Sequence, residues 1–163
     1  VYTIGYEGAD LASFLAKLAS ASIKQVIDVR ELPLSRKRGF SKSALAAALA
    51  DSGIQYLHLR DLGDPKPGRE AARRGDHPGF LRIYTRHLAG TAAQTALAEA
   101  SRQATAVRSC LLCFERDHDG CHRSIVADAM TAATGIRVTH LRVDPPARPS
   151  SRGSDERATT HLW

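Results

Sequence analysis

The chain has 163 residues, 43% of them hydrophobic and 25% charged, which fits one globular domain with its own core and excludes a fibrous repeat or a wholly disordered chain. No apolar run approaches the roughly 20 residues that cross a bilayer, and the first residues read as strand and turn, so neither a membrane span nor a secretory leader is expected and the residues point to the cytoplasm. The formal net charge of +6 favours an anionic partner, although Arg148, Arg152 and Arg157 place part of that excess near the end of the chain.

Residues 1–5 read as a first strand and 5–8 as a turn. Asp10 is placed to cap a helix whose Leu11, Phe14, Leu15 and Leu18 recur at i, i+3, i+4 and i+7. A short buried strand at 26–29 leads into a basic loop at 32–39. A second helix over 41–51 carries Leu45 and Leu49 one turn apart and is stopped by Gly53, and 54–59 is a third strand. The polar stretch 61–78, with its prolines and glycines, reads as a long loop of the kind that is often functional. Helical patterns resume at 79–88 and 91–103, and 106–114 is a strand that is apolar except for Arg108 and Ser109. A helix over 122–134, closed by Gly135, and a final strand over 136–143 complete the series.

Strands alternating with helices predict an α/β fold, a Rossmann-like, mostly parallel sheet of about five strands with helices on both faces. Residues 1–145 form this single domain, and 146–163, rich in Pro, Ser, Arg and Thr, read as a flexible tail docked at most through Trp163. No internal repeat, Walker loop or G-x-G-x-x-G is present.

Ligands of open parallel sheets bind beyond the carboxyl ends of the strands, and three groups fall there: Tyr6-Glu7, Asp28 with Arg30, and the segment from Cys113 to Arg123. All three cysteines lie between 110 and 121, a poor pattern for a secreted disulfide framework and a better one for free thiols, a ligand cluster or a redox pair. Cys113 ends a strand, and Cys121-His122-Arg123-Ser124 opens a helix whose first-turn N–H groups, with Arg123, form an anion cradle. A thiol in such a field is acidified and nucleophilic at neutral pH. Read structurally instead, Cys113 is a small buried core residue and Asp28–Arg30 a salt bridge. Ser35, Arg36, Lys37 and Arg38 with Phe40 and Lys42 suit a nucleotide or a nucleic-acid strand, or else form a solvated loop. His58 and His140 alternate with apolar residues and read as structural, whereas His118 between Asp117 and Asp119 is better placed as an acid or base. Zinc on Cys110, Cys113, Cys121 and His122 is disfavoured, because two cysteines three apart on a strand point to opposite faces.

Thr3-Ile-Gly-Tyr6, Val26-Ile-Asp-Val-Arg30, Pro33 with Ser35-Arg36, Phe40, Tyr56 before Leu62-Gly63, and Leu112-Cys-Phe-Glu115 leading to Cys121-His-Arg123 together resemble the bacterial family called domain of unknown function 488. The resemblance implies an α/β fold and a shared pocket lined by Arg30, Glu115, Cys121, His122 and Arg123, with no settled reaction. A looser likeness of layout is to rhodaneses and cysteine phosphatases, from which the chain departs by placing nine residues between Cys113 and Arg123.

The leading expectation is an enzyme acting on a phosphorylated or nucleotide-like anion, a cysteine-dependent hydrolase or transferase. In it Cys121 or Cys113 is the nucleophile or redox thiol and Glu115 or His122 the acid–base group. Arg30, Arg123, Ser124, Ser35 and Arg36 bind the anion, Asp28 and Tyr6 orient, and neither cofactor nor metal is called for. The alternative is a nucleic-acid-binding module using Arg36, Lys37, Arg38, Lys42, Arg69, Arg73 and Arg74, its cysteines structural; a metal-binding protein stands third.

Overall fold

The computed structural model describes residues 1–144, so the predicted tail and Trp163 lie outside the described residues. Five parallel strands, β1 (Tyr2–Gly5), β2 (Gln25–Asp28), β3 (Gln55–His58), β4 (Ser109–Cys113) and β5 (Thr139–His140), form one sheet in the order β3-β2-β4-β1-β5. Six α-helices surround it, α1 (Leu11–Ser20), α2 (Lys42–Asp51), α3 (Lys66–Arg73), α4 (His77–Leu88), α5 (Thr91–Ala106) and α6 (His122–Thr134). The expected α/β architecture is therefore present.

Two hydrophobic clusters, one per face, show how period-2 strands serve two helical layers. Phe14 and Leu18 of α1 and Leu45 and Leu49 of α2 pack with Ile4, Val26, Cys110 and Leu112. On the other face, residues of α3 to α6, including Ala71, Tyr84, Leu97 and Met130, pack with Ile27, Leu111 and Cys113. The four β4 residues 110–113 thus alternate between the clusters.

Local chemistry sets the helix ends. Asp10 Oδ1 accepts from Ser13 N at 2.7 Å to start α1, and Gly135, in the left-handed region at φ 73°, ends α6. The expected loop at 61–78 is corrected: a 3-10 turn covers Arg60–Leu62, α3 occupies Lys66–Arg73, and α4 begins at His77. The α3 segment has no apolar stripe, burying only Gly68 and Ala71, and its Pro67 sits in the first turn, where proline lacks no needed hydrogen bond. The final strand is also shorter than expected. It pairs only with Tyr2 and Thr3 of β1, after Leu141 N donates to Thr3 O at 2.7 Å.

The connection leaving β2 runs over the α1–α2 face toward β3, and that leaving β4 runs over the other face toward β5. The two diverge to opposite faces and opposite edges, which opens a crevice over the carboxyl ends of β2 and β4.

Candidate active site

In register, Asp28 faces Leu112 and Gly5 faces Cys113, so the ends of β1, β2 and β4 lie side by side. Above them is a cleft of about 890 Å³ lined by residues that follow β1, β2, β3 and β4. Its mouth carries Arg36, Lys37 and Arg73, none of which makes an ion pair among the described residues. Beside them stand Leu32, Leu34 and Phe114, three of the four large hydrophobic side chains that the described surface leaves exposed. Glu115, His122 and Asp64 also line it.

Under that floor lies a thiol cluster. Cys121 precedes the first residue of α6 in extended conformation and uses no side-chain cap bond, which leaves its sulfur to turn inward. Cys113 Sγ and Cys121 Sγ are 2.9 Å apart. The Cys113 thiol donates to Glu115 Oε2 at 2.9 Å, and Cys121 Sγ lies 3.2 Å from the same oxygen. His122 Nδ1 is 3.9 Å from Cys121 Sγ, and its Nε2 donates to Val29 O at 2.9 Å, which orients the ring. Arg123 Nη1 donates to Cys113 Sγ at 2.9 Å and to Glu115 O, its Nη2 to Arg116 O at 3.0 Å, and its Nε to Thr3 Oγ1 at 3.3 Å. Gly5 permits this arrangement, since a Cβ there would strike the Glu115 carbonyl and come within 2.8 Å of Arg123 Nη1.

These neighbours separate the two thiols. Burial pushes Cys121 up, but the hydrogen bond from Cys113 and the contact with His122 outweigh it and bring the thiol down to about 6. Burial lowers His122, and Cys121 with Glu115 more than reverse this, to about 9. Burial together with Cys121 and Glu115 drives Cys113 well above its ordinary value. Burial raises the Glu115 carboxyl, but the Cys113 thiol and the His122 charge hold it below the usual range. Near neutral pH the site is a Cys121 thiolate beside a His122 imidazolium, with a protonated Cys113 against an ionised Glu115.

The residues singled out from sequence are placed unevenly. Cys113, Glu115, Cys121, His122 and Arg123 come together, yet of the pocket the resemblance implied only Arg30, Glu115 and His122 line the cleft. Cys121 (4% exposed) and Arg123 (0%) lie beneath it. Arg30 is held by Asp28 through Nε at 2.9 Å and Nη2 at 2.6 Å, and its Nη1 donates to Tyr6 OH and Phe40 O. Asp28 also accepts from Tyr56 OH at 2.6 Å, and Tyr6 stacks on Phe40 with centroids 4.4 Å apart, so this group forms a fully bonded wall. Ser124 Oγ donates to His118 O, Ser35 Oγ accepts from Lys37 N, and His118 stacks on His140 away from the cleft. Arg38, Lys42 and Arg74 stand outside the cleft lining.

Asp64 was missed. It is 7% exposed and lines the cleft, and its Oδ1 has no hydrogen-bond partner among the described residues. Burial pushes its carboxyl up to about 6 against the pull of His122 and Arg69. Its only sequence signal was a place in the polar stretch after Leu62-Gly63.

As for metal, the set of Cys110, Cys113, Cys121 and His122 is not assembled, because Cys110 belongs to the other face of β4. Cys113, Glu115 and Cys121 do bring one ligand atom each within 4.8 Å of one another and could hold an ion. The Arg123 guanidinium against Cys113 already supplies positive charge at that point.

The family model described as Domain of unknown function DUF488 matches residues 10–130, and the chain belongs to that family. No curated protein and no solved structure matches the chain. Among the described residues no helix is long and apolar enough to cross a membrane.

Proposed function

We propose that this DUF488 member is a thiol-dependent enzyme acting on a small anionic molecule with a flat apolar body, such as a nucleotide, by group transfer through Cys121. The carrying observation is the vertical arrangement of the site: Arg36, Lys37 and Arg73 beside Leu32, Leu34 and Phe114 at the mouth, with Glu115 and His122 below them against the Cys121 sulfur. The cations suit phosphate, and the apolar side chains suit a base or a similar ring. Glu115 is exposed along the cleft while its carboxylate turns to the thiols, so rotation of this one side chain uncovers Cys121. In the reaction the Cys121 thiolate attacks the substrate's electrophilic centre, the bond to the leaving group breaks, and the His122 imidazolium, which keeps its charge up to about 9, supplies the departing proton. Water then attacks the thio-intermediate, and Glu115 takes the proton that water loses.

The nucleic-acid reading draws on some of the same cations, but Arg69 is held by Glu31 and by Asp64 O at 2.5 Å. Incubation with a panel of nucleotides and sugar phosphates, followed by mass spectrometry, separates the two. Conversion of at least one compound by the wild type and by none of the Cys121→Ser protein is expected. Tight, salt-sensitive binding of single-stranded RNA or DNA that survives Cys121→Ser, with no compound converted, would overturn the enzyme reading.

A further inference from the structure

The cysteine pair offers a chemistry that needs no ligand in the cleft. The sulfurs of Cys113 and Cys121 lie 2.9 Å apart, come from two elements joined by an eight-residue step, and share Glu115 Oε2 as a neighbour. Two sulfurs this close form the combination in which one attacks an oxidant and the second resolves the product. With Glu115 turned to the thiols, Cys121 is 4% exposed and Cys113 0%, which favours a small oxidant such as a hydroperoxide over a bulky disulfide. Cys110, 0% exposed and in the apolar cluster of the opposite face, has no such partner.

We infer that Cys121 and Cys113 are a hydroperoxide-oxidised pair, in which Cys121 reduces a small hydroperoxide and Cys113 closes a reversible disulfide. Cys121 Sγ attacks one peroxide oxygen, the O–O bond breaks, and the departing hydroxide or alkoxide takes the proton of the His122 imidazolium, leaving a sulfenic acid. Cys113, passing its proton to Glu115, then attacks the Cys121 sulfur. The S–O bond breaks, and the hydroxide leaves as water with the proton returned by Glu115. In sum two thiols lose two electrons and two protons, and the peroxide becomes water and an alcohol, or two waters from hydrogen peroxide. A small dithiol restores the pair by exchange. This rests on the reading of Cys121 as the reactive thiolate and adds that oxidation silences it.

The test treats the full chain with equimolar hydrogen peroxide, alkylates it under denaturing conditions and reads intact and peptide masses. The inference expects loss of two hydrogens, a Cys113–Cys121 linked peptide, an alkylated Cys110, and reversal by dithiothreitol. In Cys113→Ser, dimedone should trap Cys121 as the sulfenic acid about tenfold or more faster than Cys110. A wild type that stays fully reduced, or one whose linkage involves Cys110, would overturn it without needing any variant to fold. Disulfide formation in a protein that converts no substrate refutes the proposed enzyme alone. Substrate conversion that peroxide leaves untouched, with no linkage formed, refutes the oxidised pair alone.

Discussion

Cys110 and Cys121 are both buried, at 0% and 4% exposure, yet their thiols are driven in opposite directions. Cys110 looks into the apolar layer of Phe14, Leu18 and Leu112, where burial drives the thiol well above its ordinary value. Cys121 meets the Cys113 thiol and the His122 ring, which bring it down to about 6. Burial removes water from both sulfurs; what replaces the water decides whether the anion survives. Strand β4 contributes to the contrast, because its alternation sends Cys110 to one layer and Cys113, the neighbour of Cys121, to the other.

The largest change expected comes from removing the guanidinium that ties the reactive side together. Arg123→Ala leaves the Glu115 and Arg116 carbonyls without their donor inside the protein and should lower unfolding free energy by about 3–5 kcal/mol, read by denaturant titration. Next is Gly5→Ala, which pushes the new methyl against the Glu115 carbonyl; a loss of about 1–3 kcal/mol is expected, with slower Cys121 alkylation because Glu115 must shift.

His122→Asn should spare most of the stability and collapse the contrast in chemistry. The thiolate of Cys121 is present above pH about 6 and lost as pH falls through that value, and His122 keeps its charge until pH rises through about 9, so the ion pair spans the interval between. Without the imidazolium the thiol moves back toward 9.0, and alkylation at neutral pH should fall about tenfold or more in a mass-spectrometric time course. The smallest effect belongs to Cys110→Ala, about 1 kcal/mol of lost packing with the alkylation profile of Cys121 unchanged.

Much of this contrast was legible in the chain. The spacing of Cys110 and Cys113 along a strand already assigned them to opposite faces, and the handover from Cys113 to a helix at His122 marked the chemical end of the sheet. Asp10 and Gly135 announced their helix boundaries through cap chemistry. Other features depend on tertiary contacts that no local pattern carries. The Asp28–Arg30 salt bridge was one of two readings open from their spacing, whereas nothing local marked the partners of Arg123, which turns inward to acceptors brought from other segments. Asp64 acquires its raised carboxyl only through burial, once the 3-10 turn and α3 have folded on either side of it. The α3 segment escaped notice because it rests on the protein through glycine and alanine rather than an apolar stripe.

The central claim is that Cys121 is a thiolate at neutral pH while Cys110 is not, and the most direct test is the pH dependence of alkylation of each cysteine in the native protein, read peptide by peptide. The account predicts a midpoint for Cys121 of about 6, protection by a phosphate-bearing ligand seated in the cleft, and a Cys110 that stays unreactive across the range. A Cys121 that titrates like an ordinary thiol near 9.0, or that reacts no faster than Cys110 at neutral pH, would contradict it.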